Sequence, residues 1–149
     1  MLVALTLAAA LSGQAVPAPG QTAGQTPGTA PSAAASGAAP SPDCGGLSAS
    51  VSGGLPMQCV TAPLEQIGSM ALAYAAEARR HGWVVVRGDN NVLWMQKPET
   101  SGTCERMTVI IFWDTTAHPE PVAGVPGYIG VITQAGQTCE PLPNAATAQ

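Results

Sequence analysis

Charge is scarce in this sequence and missing altogether from its beginning. Five basic and nine acidic residues are spread over 149 positions, and all of them fall between Asp43 and Glu140. A leading stretch without ionisable side chains, rich in Ala, Pro, Gly, Ser and Thr, cannot bury enough apolar surface to offset chain entropy. The folded part is therefore expected over residues 43–141 as one small domain, too short for a multi-domain enzyme. With five basic residues and a formal net charge of -4, and with Arg79-Arg80 as the one adjacent basic pair, no basic stripe exists to displace phosphate counterions. Nucleic acid and anionic membrane surfaces are excluded as partners on that ground. Gly and Pro lack a triplet period, and the charges that decorate heptads are too few, which excludes collagen-like and coiled-coil chains. No apolar run approaches the roughly 20 residues of a spanning helix, so no stable membrane span is expected after processing.

The motifs of cofactor chemistry are missing as well. Cys44-Gly45-Gly46 and Gly53-Gly54 lack the following Lys and the preceding strand of a phosphate-cradling loop. No two cysteines have zinc-knuckle spacing, and Gly88-Asp89-Asn90-Asn91 lacks the fixed Gly and distal Glu of an EF-hand. Neither a cofactor nor a metal is implied.

What is present begins with an address. Leu2 to Leu11 is apolar except for Thr6, and Gly13 and Ala15 stand three and one before a cleavage point, so residues 1–15 read as a signal peptide, though without a preceding basic residue. Residues 16–42 carry prolines at 17, 19, 27, 31, 40 and 42 and read as a disordered Pro/Ala/Gly-rich linker; residues 142–149 read as a disordered tail. Cys44, Cys59, Cys104 and Cys139 make an even set in a domain small enough to need staples, which independently indicates a secreted or periplasmic location.

The spacing predicts a helix over about Pro63 to His81, with Pro in the first turn, Glu65 near the positive end and His81-Gly82 as the stop. Leu64, Ile67, Ala71, Tyr74 and Ala78 form its apolar face. Four strand-like runs follow: Trp83–Arg87 and Val92–Lys97 about a turn at 88–91, then Glu105–Trp113 and Tyr128–Gln134. The expected fold class is α+β, one N-terminal amphipathic helix packed on a four-stranded antiparallel β-meander and stapled by two disulfides. If Trp113 lies near Tyr128, stepping outward along both strands brings Cys104 and Cys139 to almost opposite positions at the open end of the hairpin, which leaves Cys44 to close a loop with Cys59.

The functional expectation follows from strand alternation. With an even hairpin loop, Val84, Val86, Leu93 and Met95 face the helix, while Trp83, Val85, Arg87, Val92, Trp94 and Gln96 face away. Joined by Ile110, Phe112 and Val131, that second face is too apolar to be left to water. Segment 44–59, loop 114–126, a second copy or a ligand could cover it. The leading reading is thus an exported, non-catalytic envelope binding module, with Trp83, Arg87, Trp94 and Phe112 contacting a protein, a glycan or a small apolar ligand. An inhibitor of an exported hydrolase is one form of it. The alternatives are a small hydrolytic or metal-dependent enzyme built on Asp114, His118 and Glu120, and a purely structural homodimer.

Overall fold

The computed structural model describes residues 38–142. The signal-peptide reading of residues 1–15, most of the linker and residues 143–149 lie outside the described residues. The architecture is α+β, with one long helix against a six-stranded antiparallel sheet and two disulfides. The strands are β1 (Ala39–Pro40), β2 (Gln58–Pro63), β3 (Val84–Asp89), β4 (Val92–Pro98), β5 (Cys104–Trp113) and β6 (Pro126–Gln137). The helices are α1 (Ser48–Ser52), preceded by a tight turn at Cys44–Gly46, and α2 (Leu64–Arg80).

Two expectations are corrected. The sheet has six strands where the sequence indicated four, and the long helix follows two strands instead of opening the domain. The spatial order is β1-β2-β6-β5-β4-β3. The β3-to-β6 run is the expected meander; β2 then joins its far side by pairing with β6, Cys59 opposite Gly130 and Thr61 opposite Tyr128. β2 was hidden because Gln58–Pro63 contains a Cys and ends in Pro, and its pairing partner lies far along the chain. Ala39–Pro40, placed in the linker by composition, pairs with Thr61 and Val60 as a short edge strand, and Ala38 is buried. Two residues carry too little pattern to read as a strand, and proline is tolerated there because an edge strand need not donate on both sides.

Helix α2 starts directly from β2. Pro63 stands at its N-cap with φ -52°, and Leu64 N–H donates to Val125 O at 2.8 Å, so the entry is held by backbone contact without a side-chain cap. Ile67, Met70, Ala71, Tyr74, Ala75 and Ala78 are buried, the stripe that the apolar spacing implies. They pack on Ala62, Met95, Met107, Val109, Ile129 and Val131 from four different strands. Gly127 allows the close approach, since a Cβ there would meet Leu64 Cα at 3.1 Å and Ile67 Cγ1 at 3.2 Å. At the other end of the helix, Glu77 accepts from Arg80 and lies 3.0 Å from His81 Nε2, so the C-terminal turn is tied to basic side chains as the helix dipole favours.

The second face of the sheet has its own core. The Cys44–Cys59 disulfide, with Cα atoms 5.4 Å apart, draws residues 44–59 over the sheet. Leu47, Val51 and Met57 from that segment pack against Ile110, Phe112 and Tyr128. The Phe112 and Tyr128 rings stack at 5.5 Å between centroids. Gly45 is required at the fold-over: its φ of +67° is left-handed, and any Cβ would run into the Tyr128 hydroxyl. Cys104–Cys139, with Cα atoms 5.1 Å apart, clasps the open end of the β5–β6 hairpin, and Trp113 pairs with Gly127, one residue from the expected partner.

Candidate functional site

The residues expected to share one binding face are distributed over three environments, and one β-bulge explains most of the rearrangement. The β3–β4 turn is two residues, Asn90-Asn91, with Asn90 at φ +38°. From it, Asp89 pairs with Val92, Gly88 with Leu93 and Arg87 with Trp94, but Met95 then pairs with Val85, leaving Val86 as the extra residue. Before the bulge the chain resumes with inverted facing. Val85 therefore packs on the helix side with Leu93 and Met95, where alternation through an unbroken strand would have put Val84 and Val86.

Trp83 moves with it. It is 3% exposed inside the core under α2, not on the second face. Val131 likewise belongs to the helix-side core. Phe112 is on the second face as expected, but only 8% exposed because segment 44–59 lies over it. Of the four aromatic-face candidates, Arg87 and Trp94 alone are brought together at the surface. The Arg87 guanidinium carbon sits 4.1 Å from the Trp94 ring centroid, a cation–π contact on an incompletely buried ring.

This pair borders a groove of about 150 Å³ on the uncovered half of the second face, shared with Gln96, Arg106, Thr108 and Gln134. The C-terminal segment closes one side of it. The Gln96 carboxamide donates from Nε2 to Glu140 O and accepts from Glu140 N at Oε1, both at 2.8 Å, so a side chain substitutes for a strand partner. Arg106 Nη2 donates to Thr138 O at 2.7 Å, and its Nη1 lies 3.3 Å from Glu140 Oε1. With Cys139 tied to Cys104, residues 138–140 form a fixed strap, a part of the site that sequence reasoning missed. The clue available was Glu140 itself, a lone charge just past the last cysteine.

The enzyme alternative meets a different geometry. The Asp114 carboxylate accepts from Thr116 N at 2.9 Å and Ala117 N at 3.0 Å, and His118 contributes backbone groups, its N–H to Asp114 O and its O to Trp113 Nε1. Asp114 thus organises the turn after β5 through its side chain. Among the described residues, no group of three or more His, Cys, Asp or Glu is placed to hold a metal ion. Nor, among them, is any helix long and apolar enough to cross a membrane.

The buried carboxyl in the fold is elsewhere. Glu105 is 5% exposed, its Oε1 has no hydrogen-bond partner, and removal from water raises its pKa despite the opposing charge of Lys97. It lies beside the Cys104 clasp at an irregularity in β5, at the foot of the sheet and not in the groove. Comparison with family models, with curated proteins and with solved structures finds no match to this chain.

Proposed function

We propose that this protein is an exported, non-catalytic binding module that recognises a protein partner through the Arg87–Trp94 half of its second sheet face. The observation that carries the reading is unequal cover: segment 44–59 buries Phe112 and packs on the partly buried Ile110 and Tyr128, whereas no such segment packs on Arg87 and Trp94, which lie beside an open groove. Trp and Arg are the side chains most often found as interface anchors, and a rim of Gln, Thr and Arg supplies hydrogen bonds around them. A groove of about 150 Å³ is smaller than the usual small-molecule site, which favours a surface contact over an enclosed ligand. Export is supported by the two disulfides and by the apolar run at residues 2–11.

The test is cross-linking capture from the native envelope, with wild type and Trp94→Asp as baits, each checked by circular dichroism and for intact disulfides. A protein captured by wild type and lost with Trp94→Asp and with Arg87→Ala is the expected result. Identical capture by all baits, or capture of glycan alone, would refute the proposed partner class.

A further inference from the structure

On the other side of the sheet, between α2 and the tip of the β3–β4 hairpin, is a cleft of about 300 Å³ that the binding reading above does not use. Its walls are Ala71 and Leu72 from the helix and Leu93, Val109 and Ile111 from the sheet. The helix packs chiefly on β2, β5 and β6, so the apolar surface toward the β3–β4 turn is incompletely covered, and Leu93 and Ile111 remain partly exposed to the cleft. Leu72, at its mouth, is 74% exposed.

Gly68 supplies the second observation. It lies in the interior of α2, where glycine disfavours the helix relative to alanine, yet its φ is not left-handed and a Cβ there would meet nothing within 4 Å. Gly127 is needed for packing and Gly45 for its backbone; no contact within the described fold requires Gly68. Its missing side chain does one thing, which is to keep the helix wall of the cleft open. Electrostatics then selects the occupant. Asp89 is the one charged residue lining the cleft, no Lys, Arg or His does so, and the chain as a whole is negative. An anionic head group would meet repulsion from Asp89 with no cationic side chain to offset it, whereas a cationic head would be attracted. At roughly 30 Å³ per water-sized unit the cleft holds about ten such units, the scale of a short aliphatic chain.

We infer that the cleft between α2 and the β3–β4 turn binds a small cationic amphiphile, its aliphatic chain against Leu93, Val109 and Ile111 and its ammonium at the Asp89 end. Calorimetric and NMR titration of the full-length chain with octylammonium, below its micelle concentration, tests this. Expected are saturable binding with methyl shifts at Leu93 and Ile111, and at least tenfold weaker binding of octanoate. Gly68→Leu should fill the cleft and abolish binding while leaving the thermal midpoint unchanged or raised, because leucine is the better helix former; this separates lost binding from lost folding. Asp89→Asn should reduce the preference for ammonium over the neutral 1-octanol. Absence of saturable octylammonium binding, equal binding to Gly68→Leu, or octanoate binding as tightly as octylammonium would each overturn the inference.

Discussion

Replacing Trp83 and Trp94 separately by alanine tests the bulge at Val86 more sharply than any binding assay. An unbroken β3 would put both rings on one face in similar surroundings; with the bulge, one is core and the other surface. A buried tryptophan removes on the order of 200 Å² from water, an upper bound near 5 kcal/mol at about 25 cal/mol per Å². The usual range for truncating such a side chain is about 3–5 kcal/mol, cavity included, and Trp83 at 3% exposure belongs in it. Trp94 is half-buried and stacked under Arg87, so its loss should cost about 1–2 kcal/mol, of which the cation–π contact supplies roughly 0.5–1.

In urea, with a slope of about 1.5–2 kcal/mol per M for a domain of this size, the two variants should differ in midpoint by roughly 1–2 M. Far-UV circular dichroism with both disulfides oxidised gives the readout. Trp83→Phe compared with Trp94→Phe serves if Trp83→Ala does not fold, and the Trp83 variant should again be the less stable of the two. Acrylamide quenching provides an independent check, with Trp83 shielded and Trp94 accessible. Equal losses, or a greater loss at Trp94, would mean that β3 runs without the bulge and that the sheet faces are assigned wrongly.

The disulfides should differ in both magnitude and consequence. For sequence separations of 15 and 35, loop entropy gives about 3 kcal/mol for Cys44–Cys59 and about 4 kcal/mol for Cys104–Cys139. Paired Cys→Ser variants should lose stability in that order in urea titrations, and the Cys44/Cys59 pair alone should increase dye binding to apolar surface as segment 44–59 lifts from Phe112; unchanged dye binding would contradict the packing. Glu105 gives a pH signature. Because burial raises its pKa in the folded state, it favours folding in acid, and that contribution is lost as pH rises from about 4.5 through the raised value. Glu65 and Glu77 act oppositely: a backbone N–H from Gly124 and the Arg80 side chain, respectively, lower their pKa values, so their contributions fade as pH falls. Glu105→Gln should therefore gain more stability over wild type at pH 7 than at pH 4, and a pH-independent difference would show that the carboxyl is hydrated.

Much of the fold was legible where the pattern is local. The stripe from Ile67 to Ala78 has the 3.6-residue period of a helix docked on one side, and Met107, Val109 and Ile111 alternate cleanly against Thr108, Ile110 and Phe112. The Cys104–Cys139 pairing was legible from strand register, since outward steps from the Trp113 end of the hairpin bring Cys104 opposite Gln137, two residues short of Cys139. The pieces that were missed depend on distant partners. β2 gains its identity by pairing with β6 some 66 positions away, as the Thr61 Oγ1 to Gly127 O bond illustrates, and nothing in Gln58–Pro63 announces it. Segment 44–59 was a candidate cover for the second face, but which half it covers depends on where its disulfide and Met57 come down; Gly130, with no side chain to obstruct Met57, is the residue that admits it.

One inserted residue in β3 has three coupled effects. Val86 takes the ladder out of phase, so Val85 and Trp83 enter the helix-side core while Arg87, on the turn side of the bulge, stays opposite Trp94. An unbroken β3 would have left Trp83 on the same exposed face as Trp94, adding a large aromatic surface to a half-face that segment 44–59 does not reach. It would also have left β3 as a regular edge strand, beginning with three valines, with no further strand beyond it among the described residues. Bulges increase local twist and interrupt the regular row of edge donors and acceptors, which is how exposed edges resist pairing with other chains. The opposite edge needs no such device, because β1 is two residues long and includes Pro40. The bulge thus hides one tryptophan, presents the other beneath Arg87 and protects the open edge, so any substitution that stabilises regular pairing in β3 acts at once on the core, the candidate site and the tendency to aggregate.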